Sequence, residues 1–353
     1  MLLPQFPESR ESSLSPCAPA SAGQPYGYPS VPSLGVLTRL IRPANLLETQ
    51  ESRLDQNGSQ NNSGLLEQVA YGVALWMYPG GFAGERLVRQ RSVSKMDLRG
   101  KRVVMTGSAG GIGAVCAAIL ARYGATITLS DLDGAAVADL TGKLRQEGFN
   151  VFSHRTDVTD PAQCEELLAK AHELMGGVDV LFNSAGIMPR FTVPDMPVDL
   201  WHKVIDVSLT GTFLCSKYAI PIMRSQGGGV IINNASGAAL VGNKALAAYG
   251  AAKAGIVTLT KCMAVDHGEE GIRVNCICPG AIDTEMNRSW IRESADPATA
   301  LRELEASHVL GRMGQPNEVG EMVAFLVSDT CSFMTGSTVI YDGGLTVMGH
   351  RFA

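Results

Sequence analysis

Tyr249 and Lys253 lie four residues apart, and their side chains are of types that together can move a proton. The alanine-rich stretch at residues 247–256 favours a helix, and an i, i+4 spacing then places the phenol and the ammonium on one helical face. A free tyrosine titrates near pKa ~10, and a cation beside it stabilises the phenolate, so we expect Lys253 to lower the pKa of Tyr249. A tyrosine with a lowered pKa can donate or accept a proton near neutral pH. Many proteins contain this spacing without a catalytic role, so its meaning depends on the surrounding motifs.

Composition and charge argue against several classes of protein. The 353 residues carry a net charge of −5, and the chain therefore lacks the basic balance that is typical of nucleic-acid binding. No apolar run approaches the ~18 residues of a membrane-spanning helix. The eight cysteines and six histidines form no disulfide framework and no metal-ligand motif, and Cys276 and Cys278 are predicted to be buried thiols of a strand. We therefore expect a cytoplasmic protein that binds no metal, nucleic acid or membrane.

The first 95 residues differ in composition from the remainder of the chain. They are rich in Pro, Ser, Gln, Asn and Gly, and such segments bury too little apolar surface to offset chain entropy. We expect residues 1–95 to form a largely disordered extension with one short helix near Leu65–Met77. Residues 96–353 have the length of one complete catalytic domain. Met96 is interpreted as the true or an alternative start, and the residues before it as dispensable.

Short runs rich in Val, Ile and Leu alternate with helical periods from Met96 onward. Helices are predicted between these runs, for example over Ile112–Arg122 and Gln163–Met175. Continuous apolar strands that alternate with helices indicate a parallel sheet covered on both faces. The predicted fold class is therefore α/β, a doubly wound parallel sheet (Rossmann fold) in a single domain. The seven predicted strands are Arg102–Thr106, Thr126–Ser130, Asn150–Arg155, Val178–Asn183, Gly229–Asn233, Arg273–Cys278 and Ser337–Tyr341.

A glycine-rich turn follows the first predicted strand and opens a helix. Its glycines stand at Gly107, Gly111 and Gly113, with Ile112 between the last two. Glycines permit a tight turn here and let backbone N–H groups approach a diphosphate at the helix N-terminus. The turn therefore predicts a dinucleotide cofactor.

Asp131 ends the second predicted strand, 18 residues beyond Gly113. A carboxylate at this place accepts hydrogen bonds from the adenosine ribose hydroxyls and repels a 2′-phosphate. No lysine or arginine stands at residues 108–110 or 132–133 to neutralise such a phosphate. The sequence therefore favours NAD over NADP.

These motifs together resemble the short-chain dehydrogenases/reductases. The resemblance covers about Leu98 to Leu345, and the 13-residue gap between Ser236 and Tyr249 matches the family's spacing. It is closest to the single-domain branch of about 250 residues that includes 3-oxoacyl reductases and many secondary-alcohol dehydrogenases. The motifs are Thr106-Gly107-x-x-x-Gly111-x-Gly113, Asn183-Ser184-Ala185-Gly186, Ser236, Tyr249-x-x-x-Lys253, Pro279-Gly280 and the final Tyr341-Asp342-Gly343-Gly344.

The resemblance implies a role for each matching residue. Tyr249 would exchange a proton with the substrate oxygen, Ser236 would hold that oxygen, and Lys253 would lower the pKa of Tyr249 and bind the nicotinamide ribose. The protein would orient a hydride transfer between the nicotinamide and a secondary alcohol or ketone. The further cofactor contacts implied are Ile282 and Thr284 to the carboxamide, Asp157 and Val158 to adenine, and Asn183 beside the adenine ribose.

Two positions depart from the family's pattern, and both hold a serine where the family usually has asparagine. Ser184 stands in the fourth-strand motif, where we expect little effect because the role is local hydrogen bonding. Ser208 stands where an asparagine usually supports a proton-relay water. A hydroxyl is shorter and donates only one hydrogen bond, but a backbone carbonyl also holds the water, so we expect activity to survive.

The substrate pocket is expected to be formed by residues 186–195, 237–242 and 281–310. Its few convergent charges favour a neutral, largely apolar ketone or secondary alcohol. Helices around residues 209–223 and 249–266 have more apolar surface than one sheet face needs, which predicts a homotetramer or homodimer. The apolar pocket candidates are Met188, Phe191, Leu240, Met286 and Trp290, and the cations that could meet an acid are Arg190, Lys244 and Arg288.

Two alternative functions remain open from the sequence. An NADP-linked 3-oxoacyl-thioester reductase would favour a basic residue near Ser108 or Leu132, where none stands. A non-catalytic NAD-binding sensor would explain Ser208 as a first sign of decay, but it would not require Ser236, Tyr249 and Lys253 to be intact.

Overall fold

A seven-stranded parallel sheet forms the centre of the computed structural model, which describes residues 96–348. The strand order is β3-β2-β1-β4-β5-β6-β7, and every neighbouring pair is parallel. The predicted extension over residues 1–95, with its helix near Leu65–Met77, lies outside the described residues, as do residues 349–353. The strands are β1 Arg102–Thr106, β2 Thr126–Asp131, β3 Val151–Arg155, β4 Val180–Asn183, β5 Gly229–Asn234, β6 Ile272–Pro279 and β7 Thr338–Tyr341.

Helices cover both faces of this sheet, as the alternation of strand and helix in the sequence predicts. A π-helical segment, Asp206–Thr210, joins α4 to α5, and a 3₁₀ turn, Gly237–Ala239, follows β5. The helices are α1 Gly111–Arg122, α2 Gly134–Gln146, α3 Pro161–Met175, α4 Val198–Ile205, α5 Gly211–Ser225, α6 Ala247–His267, α7 Glu285–Glu293, α8 Pro297–Ala306 and α9 Pro316–Val327. The predicted α/β, doubly wound Rossmann fold is confirmed.

Side chains of the central strands, such as β1, β4 and β5, alternate between two cores. In β1, Val103 and Met105 pack with α1, α2 and α9, whereas Val104 packs on the opposite face with α3 and α5. A strand buried on both faces has no polar side, which explains the continuous apolar runs in the sequence. The predicted thiols Cys276 and Cys278 are buried in β6.

The strand boundaries differ from the predicted ones by two residues at most, and the largest difference is at β4. That strand begins at Val180 and not at Val178 because the backbone of Val178 is bonded to a distant side chain. Its N–H donates to Oε1 of Gln226 at 3.0 Å, and its carbonyl accepts from Nε2 at 2.9 Å. A backbone whose donor and acceptor are both satisfied by one amide side chain does not join the strand ladder.

The order of the sheet reverses between β1 and β4, and ligands of open α/β sheets bind at such a point, beyond the carboxyl ends of the strands. The glycine turn occupies this place. A Cβ on Gly113 would lie 2.1 Å from the carbonyl oxygen of Gly107, which no side chain permits. Gly107 itself has φ +63° and would bring a Cβ within 2.6 Å of Ala185. The fold therefore needs glycine at both positions, whatever the turn binds.

None of the helices in residues 96–348 is both long enough and apolar enough to span a membrane.

Candidate active site

Ser236, Tyr249 and Lys253 meet beyond the end of β5. Ser236 begins the 3₁₀ turn after this strand, and its Oγ accepts a hydrogen bond from the N–H of Ala238 at 3.1 Å. Tyr249 and Lys253 lie in the first two turns of α6, on the face that the i, i+4 spacing predicts. Hydrogen bonding between the Ser236 side chain and Tyr249 acts to lower the pKa of the tyrosine. The structure thus brings together the three residues that the sequence assigns to catalysis.

Lys253 is buried, with 3% of its surface exposed, and a main-chain carbonyl holds its charge. Its Nζ donates to the carbonyl oxygen of Asn234 at 2.6 Å and lies 5.6 Å from the centre of the Tyr249 ring. No carboxylate of the described residues forms an ion pair with it. Burial without a counter-charge lowers the pKa of Lys253 to about 8.

The pKa of Tyr249 moves in the direction opposite to the one expected from the sequence. Burial of the phenol raises its pKa above the ordinary value of 10, and this effect exceeds the opposing hydrogen bond from Ser236. Lys253 does not reverse the shift, because its ammonium is directed to the carbonyl of Asn234. The cofactor-free site therefore keeps its tyrosine protonated at neutral pH.

Ser208 lies close to Lys253 and has a hydroxyl without a partner. It is fully buried in the π-helical segment, and its Oγ makes no hydrogen bond with the described residues. A Cβ placed on Gly186 would lie 3.4 Å from Nζ of Lys253 and 3.5 Å from Oγ of Ser208, so these two polar atoms flank the same glycine. Buried polar atoms without protein partners are the usual ligands of internal water. The position suits the relay role that the sequence assigns to Ser208.

Asn234 is a site residue that the sequence analysis missed. Its carbonyl holds Lys253, its Nδ2 donates to Oγ of Ser184 at 3.1 Å, and its Oδ1 is buried without a partner. Ser184 thus does the local hydrogen bonding expected of it. The only signal in the sequence is a second asparagine at the end of the apolar strand β5, and strand ends at this edge of the sheet face the ligand site.

The glycine turn offers backbone donors to a diphosphate. Helix α1 begins at Gly111, and no side chain caps its first N–H groups. Gly111 has φ +55°, and nothing lies within 4 Å of a Cβ placed on Gly110, so a ligand can approach the backbone closely. Free N–H groups at a helix N-terminus bind phosphate, so the residues present fit the diphosphate of a dinucleotide.

The carboxylate of Asp131 lies against this turn. One oxygen accepts from the N–H of Ala109 at 2.9 Å, and the other accepts from the N–H of Asp133 at 3.2 Å. These bonds fix a negative charge at the end of β2, next to the residues that would bind the diphosphate. Its position is the one expected for a carboxylate that accepts from a ribose.

The three residues assigned to the adenosine half are placed differently from one another. Asp157 is partly buried, and one of its oxygens accepts from the N–H and the hydroxyl of Thr159. The side chain of Val158 packs in the core with α3, so only its backbone can face a base.

The side chain of Asn183, the residue assigned to a place beside the adenine ribose, is bonded to buried neighbours. It is 3% exposed, and its Nδ2 donates inward to Oγ of Ser216 at 3.1 Å and to Oδ1 of Asn233 at 2.9 Å. The amide ties β4 to β5 and to α5. Its backbone at the strand end remains the part that can border a ribose.

A cavity of about 590 Å³ extends from Ser236 and Tyr249, a size typical of small-molecule sites. Ile112, Ile282 and Thr284 line it on the side of the glycine turn, where a nicotinamide would lie. The predicted pocket residues that line the remainder are Met188, Arg190, Lys244, Met286 and Trp290.

Three predicted pocket residues are not among those that line this cavity. Phe191 and Leu240 are among the exposed apolar side chains of the surface. Arg288 is bonded to Asp283 through Nε at 2.6 Å and through Nη2 at 2.8 Å, so its charge is already paired. The sequence could not show this pairing, and the cavity keeps only two of the three expected cations.

The depressed pKa of Lys253 predicts a pH-dependent cost to stability. In the folded protein the charged form is disfavoured, so burial of the ammonium destabilises the fold fully below pH about 8, and the penalty disappears as the pH rises toward 10.5. The gap between these pKa values corresponds to about 3 kcal/mol. Lys253→Met removes this penalty, so its free energy of unfolding should exceed that of the wild type by a larger margin at pH 7 than at pH 10. Denaturant unfolding without added cofactor should show a margin about 2–3 kcal/mol larger at pH 7.

Lys261→Met is the matched control, because Lys261 is an exposed lysine of the same helix. Its stability difference from the wild type should be the same at both pH values. A Lys253→Met difference that does not change with pH would show that Lys253 is not a buried cation.

Comparisons with known proteins give a consistent family. A family model described as enoyl-(acyl carrier protein) reductase matches residues 107–346. A cis-4-hydroxycyclohexanecarboxylate dehydrogenase from Sinomonas cyclohexanicum is 38% identical over 246 residues, which cover 69% of this chain and 96% of that protein. A meso-2,3-butanediol dehydrogenase from Serratia marcescens is 35% identical over 252 residues, covering 71% of this chain and 96% of that protein.

Comparison with solved structures gives the same family as these relatives. A short-chain type dehydrogenase/reductase from Mycobacterium marinum superposes with a TM-score of 0.65 at 33% identity, covering 72% of this chain and 98% of that one. The family model spans well over half of the chain and contains every residue assigned to the site. The chain therefore belongs to the short-chain dehydrogenase/reductase family, whose dehydrogenases use a nicotinamide cofactor.

Proposed function

We propose that this chain interconverts a secondary alcohol and a ketone with NAD as the hydride carrier. The observation that carries the proposal is the meeting of Ser236, Tyr249 and Lys253 at a cavity that Ile112 and Thr284 also line. Two of the relatives are named as dehydrogenases of hydroxycyclohexanecarboxylate and of butanediol, whose hydroxyl groups are on secondary carbons. All of these residues lie within 96–348, which supports the assignment of the activity to the domain that starts near Met96.

The chain's own residues supply the binding and the proton transfer. A bound nicotinamide would supply the hydride chemistry, as acceptor for the alcohol or as donor for the ketone. Ser236 donates a hydrogen bond to the substrate oxygen, and Tyr249 accepts the proton of the alcohol or donates one to the ketone. Lys253 carries the positive charge that favours the phenolate form of Tyr249. The mostly apolar cavity keeps water away from the reacting carbon.

A route for the proton leads away from Tyr249 past Lys253. The hydroxyl of Ser208 and the ammonium group both lie beside Gly186, and Oδ1 of Asn234 belongs to the residue that holds this group. Neither oxygen has a hydrogen-bond partner among residues 96–348. Both atoms can hold water in hydrogen-bonding reach of the lysine. This arrangement supports a relay in which a hydroxyl takes the place of the more usual amide.

NAD is proposed over NADP because of the charge at the end of β2. Asp131 is held against the glycine turn by backbone N–H groups, so its carboxylate cannot easily move away from a 2′-phosphate. A fixed like charge near a phosphate costs binding free energy, whereas the same carboxylate accepts hydrogen bonds from a ribose. This charge disfavours the alternative of an NADP-linked thioester reductase.

Replacing Tyr249 by phenylalanine tests the mechanism. Tyr249→Phe keeps the ring and removes the proton carrier, so kcat for oxidation of a secondary alcohol such as 2,3-butanediol should fall by about 10²–10⁴-fold. The assay follows NADH absorbance in a panel of secondary alcohols. Tyr218→Phe is the matched control, because Tyr218 lies on α5 beside Lys217 and away from the cavity. Full activity of Tyr249→Phe would refute the mechanism, and tight NADH binding without turnover of any alcohol would favour a sensor.

Removing the charge of Asp131 tests the choice of cofactor. Asp131→Asn keeps an oxygen to accept from Ala109 but carries no charge, so the ratio of kcat/KM for NAD over NADP should fall at least about tenfold. Asp133 lies two residues after Asp131 and is the exposed N-cap of α2. Asp133→Asn removes its charge and should leave the ratio of kcat/KM for NAD over NADP nearly unchanged. A wild-type enzyme that prefers NADP would contradict the proposal outright.

We also propose self-association through α5 and α6, as a homotetramer or homodimer. Phe213 on α5 is 47% exposed and Val265 on α6 is 82% exposed, and large apolar side chains on two helices favour a contact surface. Light scattering coupled to size-exclusion chromatography should give a mass of two or four chains. A mass of one chain at micromolar concentration would contradict this assignment.

A further inference from the structure

Arg190 is held at the substrate end of the cavity by the backbone of its own segment. The N–H of the next residue, Phe191, donates to the carbonyl of Ala245 at 2.8 Å, and Phe191 also forms a bridge with Leu246. Helix α6, with Tyr249, begins directly after this point. Ala245 has φ +59° and is the only non-glycine residue of the described range with a positive φ. Such a strained residue is kept where the surrounding structure fixes its conformation. Here the strained Ala245 connects the segment of Arg190, through the hydrogen bond of Phe191, to the start of α6.

The guanidinium of Arg190 is stacked on an aromatic ring and forms no hydrogen bond with the described residues, 96–348. Its Cζ lies 3.9 Å from the centre of the Trp290 ring, on helix α7. Its Nε is buried and has no hydrogen-bond partner. Within residues 96–348 no carboxylate forms an ion pair with it. Stacking fixes the plane of the guanidinium and leaves its N–H edge, with up to five donors, free of protein partners within residues 96–348.

Two arginines near Arg190 are, in contrast to it, paired with carboxylates. Arg288 and Arg292 lie on the helix that carries Trp290, and each is paired with a carboxylate, Asp283 and Glu285 respectively. Those two arginines are exposed, where a pair is worth little, whereas Arg190 is partly buried, where a missing partner is costly. Burial lowers the pKa of Arg190, which reflects this cost. An arginine keeps its proton nonetheless, so the cavity contains a fixed positive charge.

The other charged side chains that line the cavity do not cancel this charge. They are Lys244 and Glu303, both exposed to solvent and without an ion-pair partner among the described residues. The lining therefore has two cations and one anion. A cleft with low-dielectric walls and an excess of one sign concentrates ligands of the opposite sign.

We propose that the substrate carries a carboxylate that pairs with the N–H edge of Arg190 while its hydroxyl or keto group lies at Ser236 and Tyr249. The inference rests on the proposed alcohol dehydrogenase activity and names its substrate class, a hydroxy or keto acid with an apolar skeleton. A planar guanidinium fits a carboxylate through two parallel hydrogen bonds, which a point charge does not do. This substrate differs from the neutral one expected from the sequence, because the sequence could not show that Arg190 is left unpaired.

Binding of ligands that cannot react tests the site apart from catalysis. Cyclohexanecarboxylate and its uncharged amide, cyclohexanecarboxamide, have the same ring and differ in charge. Calorimetry with the full-length, NADH-bound protein should give a Kd at least about tenfold lower for the carboxylate. The preference should disappear in Arg190→Met, should be partly retained in Arg190→Lys, and should be unchanged in Arg292→Met, which removes an exposed, paired arginine near the same cavity. Equal binding of the two probes by the wild type overturns the proposal, and so does a preference that persists in Arg190→Met.

Turnover separates a failure of this inference from a failure of the proposed function. The wild type is assayed with 3-hydroxybutanoate, 4-hydroxypentanoate and 4-hydroxycyclohexanecarboxylate, each beside its primary amide. At least one acid should exceed its amide about tenfold or more in kcat/KM, and Arg190→Met should remove that advantage while it changes kcat/KM for the amide much less.

The possible outcomes of the two experiments differ. Oxidation of the amides as fast as the acids, unchanged in Arg190→Met, leaves the alcohol dehydrogenase standing and overturns the carboxylate site. A carboxylate preference in binding without turnover of any alcohol supports the anion site and refutes the proposed function. If Arg190→Met does not fold, the acid and the amide are compared in the wild type and in Arg190→Lys instead. A preference for the acid that is reduced in Arg190→Lys supports the carboxylate site, and an equal preference in both proteins overturns it.

Discussion

A buried ammonium group held by a main-chain carbonyl is the interaction on which the site depends. Nζ of Lys253 donates to the carbonyl of Asn234, the last residue of β5. Because this carbonyl belongs to a strand of the central sheet, the sheet itself fixes the position of the cation. A carboxylate in its place would neutralise the charge of the lysine. The neutral carbonyl fixes the lysine and leaves its charge available.

The same burial shifts the pKa values of the two groups. It raises the pKa of Tyr249 above 10 and lowers the pKa of Lys253 to about 8. Both shifts disfavour the charged form of the group, so burial alone opposes the phenolate and the ammonium alike. A positive charge or a hydrogen-bond donor brought near the phenol would lower its pKa again.

The sequence predicts the local parts of this arrangement and not the contacts between distant segments. The strands follow from apolar runs, and the joint face of Tyr249 and Lys253 follows from helical spacing. The late start of β4 does not follow from a local pattern, because the backbone of Val178 is bonded to Gln226, 48 residues away. The inward direction of the Asn183 amide likewise depends on β5 and α5. These outcomes are decided by packing between elements, which the pattern within one element does not contain.

Two cations of the site share one physical feature, although they lie on different elements. Lys253 is held by a carbonyl and Arg190 by an indole ring, and neither partner carries a formal charge. Surface arginines such as Arg288 and Arg312 are instead paired with carboxylates, which neutralise them. Uncharged partners orient a cation without satisfying it, at a cost in stability that a bound anion can recover. Neither Lys253 nor Arg190 is paired with a carboxylate of residues 96–348, so both keep a positive charge that a bound anion could neutralise.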